Sequence, residues 1–399
     1  MEIWIFNHYS VGPGRSGITR HTDMAKYLVR KGHKVKIFAS SFNHQTRVEE
    51  HLTSNELYKT ENIEGIDFIW IRTTAYKGND INRVKNIGSY YINAKKVVKQ
   101  INSKPDLVIG SMMHHLAAYL GYKVAKKYKA KFYFEERDLW PQTIIDFGKL
   151  NEKNIISKLL YKFEKFMYDK SDKIIVLFEN AKNYVVSKGI DSEKVIYIPN
   201  AIDPERSGET TLELPEDFKT YFKNNENKKI VVYTGTHGLA NNLDAIVNAA
   251  KNTNSDYQFL FVGDGPKRDE LIRRSKMEGI NNVTFLKSVD KAFIPSILSY
   301  CHIGILPLKN SPVFKWGISP NKLFDYMGNA LPVILLCDLE GSPLQKANAG
   351  FVIKDNFESN LSKLLNEIVD TDLNEMGQKG KSFVYQNHNW EINADKILD

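Results

Sequence analysis

The residues best equipped for chemistry lie together in Gly317-Ile318-Ser319-Pro320-Asn321-Lys322-Leu323-Phe324-Asp325-Tyr326-Met327. Ser319 can cap a helix whose first residue is Pro320, which leaves backbone N–H groups free toward the preceding loop. Lys322 and Asp325 are three apart and share one face near that start. A cation at the positive end of a helix suits a diphosphate, and a carboxylate one turn later can accept both hydroxyls of a ribose. Lys315 stands just upstream as a second cation.

Two glycine loops add to this set. Gly12-Pro13-Gly14-Arg15-Ser16-Gly17 follows a strand-like run and opens a helix. Its glycines, Gly14 among them, let backbone N–H groups approach an anion, and Arg15 adds a full charge. It is neither a Walker A sequence nor G-x-G-x-x-G, and a plain strand-to-helix turn explains it equally. Gly263-Asp264-Gly265-Pro266 permits close approach to a base or sugar, or is a tight turn with Pro266 at the first helical position. Asp138 can stabilise developing positive charge, pair with Arg137 or cap a helix. His114 and His115 suit either catalysis or helix capping as neutral imidazoles.

These side chains need rigid elements to hold them. In residues 1–200, short apolar runs alternate with helix-length stretches: Ile3–Phe6, Val35–Ala39, Phe68–Ile71, Leu107–Gly110, Lys131–Phe134, Ile174–Leu177 and Val195–Ile198. Such runs suit strands covered on both faces. The cadence stops at Pro199-Asn200-Ala201-Ile202-Asp203, and the polar stretch through Lys229 reads as an interdomain connection. A second series follows in Ile230–Tyr233, Phe259–Val262, Val283–Leu286, Ile303–Leu306, Val333–Leu336 and Phe351–Ile353. The expectation is an α/β protein of two doubly wound parallel-sheet domains, 1–204 and 205–382, with a cleft between them. Ligands of such domains bind outside the carboxyl ends of the strands, where the loops singled out above fall.

The 399 residues suffice for two or three domains, and 42% hydrophobic with 26% charged residues excludes wholesale disorder. No run approaches the roughly 18 apolar residues of a spanning helix, so membrane contact is expected to be peripheral. Cys301 and Cys337 are too few for a disulfide framework or zinc cluster. The net charge of +8 is uneven: residues 1–200 hold 33 Lys and Arg against 21 Asp and Glu, and residues 201–399 hold 22 against 26. A solvated lysine-rich surface or an anionic partner explains that excess. In Asn154–Lys170, Ile156, Leu159, Leu160, Phe163 and Met167 recur at helical spacing among lysines, which suits either an anionic bilayer or a domain core. The basic residues match no nucleic-acid recognition module.

The 317–327 segment resembles the donor-binding signature of retaining GT-B glycosyltransferases of family 4, especially the bacterial surface-polysaccharide branch reading S-P-N-K-L-F-E-Y-M. Arg137-Asp138-Leu139-Trp140-Pro141 resembles that branch's R-D-L-W-P loop, and Ile198-Pro199-Asn200-Ala201-Ile202-Asp203 its I-P-N-G-V-D segment. Tyr233-Thr234-Gly235-Thr236-His237-Gly238 and Gly263-Asp264-Gly265 stand where the branch has Y-x-G-N-x-G and G-x-G. In order, these cover almost the whole chain.

The resemblance implies two Rossmann-like domains facing a central cleft, an acceptor-binding front domain, a donor-binding back domain, and a helix over about 383–399 packing back on the front. It implies that Asp325 holds the donor ribose in place of a glutamate, that Lys322 with backbone near Ser319, Asn321, Gly235 and Thr236 meets the diphosphate, and that Phe285 and Leu286 flank the base. His114 or His115 resembles the histidine found beside the transferred sugar. It further implies a UDP-sugar donor, a saccharide or polyprenyl-diphosphate-linked acceptor of O-antigen or capsule synthesis, and a cytoplasmic enzyme at the inner membrane face. No metal or other cofactor is expected. Two departures stand out: Gly317 occupies the place of the first glutamate of the family's E-x7-E pair, and the usual Arg and Lys after the first back-domain strand give way to Thr236, His237 and Asn241. A UDP-sugar 2-epimerase of the same architecture and a non-catalytic nucleotide-binding partner subunit are the competing readings.

Overall fold

The structure, a computed structural model, describes residues 1–78, 80–205, 212–238 and 241–399. It divides into two compact units, Met1–Pro199 with Trp390–Asp399, and Asn200–Asn389.

The first unit holds β1 (Glu2–Phe6), β2 (Lys34–Ser40), β3 (Tyr58–Ile63), β4 (Ile66–Ile71), β5 (Leu107–Ser111), β6 (Lys131–Glu136), β7 (Lys173–Val176) and β8 (Val195–Tyr197). They form one sheet in the order β3-β4-β2-β1-β5-β6-β7-β8. Trp4, Phe6, Phe38 and Phe134 are fully buried within it, as both-face coverage by helices requires. All neighbours are parallel except β3 and β4. The apolar-run reading does not include β3, because this edge strand is largely polar and exposed, with Lys59 and Thr60 in solvent.

The second unit holds β9 (Lys229–Thr234), β10 (Tyr257–Val262), β11 (Val283–Leu286), β12 (Ile303–Pro307), β13 (Val333–Leu336) and β14 (Gly350–Ile353) in an all-parallel sheet ordered β11-β10-β9-β12-β13-β14. This is the doubly wound dinucleotide-fold order. One face buries Val232, Val262, Leu323, Phe324 and Met327, the other Val231, Ile246, Phe259 and Leu271.

The polar stretch after Asp203 is more than a connection. Residues 206–211 lie outside the described residues, but Glu216–Asn224 is a helix seated by Phe218, Tyr221 and Phe222. The units part a few residues away from 204/205 and 382/383. The Asn200 N–H donates to Ser319 Oγ (2.8 Å) and the Ile202 N–H to the His388 carbonyl (3.0 Å), which commits 200–204 to the second unit. Residues 383–387 continue the helix Asp370–Asn387, which packs on Asn321–Gly328 and on the segment after it, where a Cβ at Gly377 would lie 2.0 Å from the Ala330 carbonyl. Only from Trp390 is the chain in the first unit, with the Arg20 guanidinium 5.3 Å over the Trp390 ring.

Candidate functional site

Strand order reverses between β9 and β12, the point at which open parallel sheets bind ligands. The loops leaving these strands carry most of the residues singled out from sequence. β9 runs into Gly235 at φ 130°, where a Cβ would meet Lys322 Nζ at 2.9 Å. β10 runs into Gly263 and Gly265, where Cβ atoms would collide with the Gly235 carbonyl at 2.0 Å and the His237 carbonyl at 2.6 Å. Glycine at all three lets the two loops close, joined by the Gly235 N–H to the Val262 carbonyl and the His237 N–H to the Asp264 carbonyl, each 2.8 Å.

The helix Asn321–Gly328 starts with Pro320 in its cap position and no side-chain cap. Ser319 does not cap it: Pro320 at ψ 137° turns the chain so that Ser319 stands one residue outside, and its Oγ and carbonyl accept the N–H and Nδ2 of Asn200 instead. Tyr326 pins the helix to the sheet. Its hydroxyl accepts the Thr234 N–H (2.7 Å), and its ring lies where a Cβ on Gly304 would come within 2.4 Å.

Lys322 thereby lies half-buried with Nζ 4.1 Å above the Tyr233 ring and donating to its hydroxyl (2.9 Å), which donates to the Thr236 carbonyl (2.9 Å). Burial pushes its ammonium down to about 7, against the opposing pull of Asp325. Asn321 and Asp325 are half-buried on the same helix. Phe285 stacks on Phe261 (4.7 Å between centroids), and the Leu286 carbonyl accepts the Gly263 N–H (3.1 Å). Thr236 and Lys315 are exposed, Lys315 lying over the neighbouring Trp316 ring (4.9 Å). Gly317 has φ 106° and ψ −178°, a backbone that a glutamate there would adopt only under strain, so the missing carboxylate matches the turn. Sequence reasoning did not assign roles to Tyr233, Arg268 or the buried His237; the histidine two residues past Gly235 registered only as a departure from pattern.

The remaining candidates belong to the first unit, at its own reversal between β1 and β5. His114 caps the helix His115–Tyr128 by accepting the Ala117 N–H on Nδ1 (3.2 Å), so the proton on Nε2 points to His8 Nδ1 (2.7 Å). His8 is stacked between Tyr9 and Tyr90, 4.4 Å from each. His115 packs edge-on to Phe163 (5.0 Å). Burial lowers His114 to about 3 and His115 to about 4, leaving both neutral. Asp138 is exposed; the bulk of protein around it raises its carboxyl and Arg137 opposes this, while contact with water favours the ionised form. Its carbonyl accepts the Thr143 hydroxyl. Arg15, in the loop of Gly14 (φ 71°), lines a cavity of about 190 Å³ with His8, Tyr9, His44 and Trp70. Among the described residues no three His, Cys, Asp or Glu side chains are grouped to hold a metal ion, and no helix is long and apolar enough to cross a membrane.

The family described as Glycosyltransferase Family 4 matches residues 15–206, and that described as Glycosyl transferases group 1 matches residues 228–370. WcaI of Escherichia coli K12, named as a colanic acid biosynthesis glycosyl transferase, is 24% identical over 317 residues, 76% of each chain. Sucrose-phosphate synthase from Thermosynechococcus elongatus superposes with a TM-score of 0.72 at 14% identity, covering 100% of this chain and 97% of its own. HepE of Anabaena, solved in complex with UDP and glucose, gives 0.68 at 14% identity, covering 100% and 98%. These likenesses show a GT-B α/β fold.

Proposed function

Because the chain belongs to the glycosyltransferases, we propose that its second unit binds a UDP-linked sugar, that its first unit binds the acceptor, and that transfer retains configuration at the sugar. The observation that carries the reading is the half-buried Lys322 at the uncapped start of Asn321–Gly328, beside glycine loops at the β9/β12 reversal. The UDP held by HepE, of the same fold, supports a uridine donor.

In this reading Asp325 accepts the ribose hydroxyls and Phe285 and Leu286 flank the base. The bond from the sugar C1 to the diphosphate breaks, and Lys322 with the first-turn N–H groups takes up the charge that develops on the leaving oxygen. The acceptor hydroxyl oxygen bonds C1 on the same face, and its proton passes to the departing phosphate. Positive charge on the sugar is met by Asp138 or a main-chain carbonyl, with neutral His114 beside it.

The likeness to WcaI supports a surface glycan as product, in the class of O-antigen or capsule, built on a polyprenyl-diphosphate-linked saccharide at the inner membrane face. The helix Ile155–Lys170 supports the last point. Met167 is buried in the core, but Ile155, Ile156 and Leu159 are 73%, 53% and 58% exposed among exposed Lys153, Lys158 and Lys162, a pattern suited to an anionic bilayer.

The test is a panel of UDP-sugars followed by mass spectrometry, with UDP affinity measured by calorimetry. Hydrolysis, or transfer to an added acceptor, supports the reading. A released epimer without acceptor would replace it with epimerase activity, and binding without turnover with a partner subunit. Asp325→Ala should lose about 1–3 kcal/mol of UDP binding; unchanged affinity would remove Asp325 from the donor site.

A further inference from the structure

Among the described buried side chains of the second unit that make no hydrogen bond, the one with two unmade polar atoms lies at the β9 loop. His237 is 0% exposed, yet neither Nδ1 nor Nε2 has a hydrogen-bond partner among the described residues. A neutral imidazole carries one donor and one acceptor, and burying both unmade is costly, so such a residue calls for a missing partner. Beside it, Arg268 reaches the Phe285 carbonyl with Nη2 (3.3 Å) while its Nε is buried and unpartnered. The backbone of His237 is locked by its N–H to the Asp264 carbonyl (2.8 Å) and by the Lys267 N–H to its own carbonyl (3.0 Å). Its ring stands edge-on to Phe285 (5.9 Å) and Phe261 (6.2 Å), with Nε2 3.3 Å from the place a Gly263 Cβ would fill.

We propose that His237 reads the nucleoside of the donor, hydrogen-bonding its base or ribose through a ring nitrogen, while Lys322 serves the diphosphate; this rests on the donor reading above. His237 packs against Phe261 and Phe285 of β10 and β11 and lies 6.0 Å from the Tyr233 ring of β9, whereas Lys322 comes from the helix after β12 and rests on that Tyr233. Burial, with Arg268 and Lys322 adding to it and Asp264 opposing, holds the imidazole near 4, so it offers hydrogen bonds and no charge.

The experiment titrates the full chain with UDP, UMP, uridine and inorganic pyrophosphate, for wild type, His237→Phe and His237→Gln, alongside melting of each free chain. His237→Phe should bind UDP, UMP and uridine about tenfold more weakly and pyrophosphate unchanged. Its free chain should melt no lower than wild type, because a buried polar group without a partner has been removed. His237→Gln, which keeps a donor and an acceptor, should recover part of the loss. Unchanged UDP affinity, or a loss seen for UDP and pyrophosphate but not for uridine, overturns the proposal. A wild type that binds none of the four sinks the donor reading itself. Should His237→Phe fail to fold, His237→Gln alone decides: unaltered uridine and UDP affinities together with a lowered melting temperature would mark a structural histidine.

Discussion

At the β1/β5 edge, Glu135 is enclosed by Arg20 Nε (2.7 Å), His21 Nε2 (2.8 Å) and Ser111 Oγ (2.7 Å), and Arg20 goes on to the carbonyls of Pro199 (2.8 Å) and Ile198 (2.7 Å). Asn7 Nδ2 lies 2.7 Å from His21 Nδ1. At the β9/β12 edge of the second unit, buried or half-buried donors gather with fewer bonds made: Lys322 donates to a phenol, and Arg268 Nε and the His237 ring have no hydrogen-bond partner among the described residues. Both edges concentrate polar groups at a strand-order reversal; the group around Glu135 closes its hydrogen bonds, whereas the group around Lys322 leaves Arg268 Nε and the His237 ring unmade, as Tyr9 Oη and His115 Nε2 are left on the first edge outside the Glu135 group. A closed network fixes backbone, here the stretch where the chain leaves the first unit; unmade buried groups carry a cost that a bound partner would relieve.

The largest effect expected from this contrast is on stability. Glu135→Ala would leave the fully buried Arg20 without its counter-charge and should cost about 3–5 kcal/mol, read as a lower urea midpoint at unchanged slope. Burial alone would raise the Glu135 carboxyl, but His21 and Arg20 outweigh it and hold it well below the usual range. Its contribution is therefore full above the ordinary carboxylate pKa and fades as pH falls through the folded one. A loss under 1 kcal/mol would mean that the network is not scaffold.

Lys322→Ala tests the open edge. Turnover of whichever UDP-sugar the panel identifies should fall about 10²–10³-fold, as when a charge-stabilising donor is removed from a reacting oxygen, with little change in the melting of the free chain. Wild-type kinetics would place the leaving diphosphate elsewhere, and a collapse in stability would move Lys322 into the scaffold class.

How far each edge could be read in advance follows from the same contrast. The strands of both sheets stand out as apolar runs because strands buried on both faces cannot alternate. β3 does not, since an exposed edge strand carries Lys59, Thr60 and Glu61. Lys322 and Asp325 were legible from three-residue spacing, which is local. Ser319 was misread because the bond that claims it comes from Asn200, and the Arg20–Glu135 pair spans 115 residues. His237 was the hardest: what distinguishes it is the lack of any partner, a property of the folded surroundings and of no motif.

Acidity sharpens the comparison further. Lys322 is held at about 7 in the free chain, and a bound diphosphate should restore it to a fully protonated state. Above pH 7, binding must then take up a proton, and affinity falls as pH rises. UDP-glucose, whose diphosphate does not titrate here, should bind about tenfold more weakly at pH 8 than at pH 6. Calorimetry in two buffers of different ionisation enthalpy reads the proton directly. A flat affinity with no proton uptake would mean that Lys322 is already charged or never meets the phosphate.

The smallest effect concerns neither edge but the exposed start of Ile155–Lys170. If Ile155, Ile156 and Leu159 insert into a bilayer, the lysines beside them contribute long-range attraction that scales with lipid charge, about 1 kcal/mol each. Lys158→Ala should weaken flotation with phosphatidylserine vesicles roughly fivefold, leave neutral vesicles unaffected and leave stability within about 0.5 kcal/mol, since this side chain is exposed. An equal loss on neutral vesicles would assign the contact to the apolar residues alone, and binding indifferent to lipid charge in the wild type would leave the basic excess of residues 1–200 as a solvated surface.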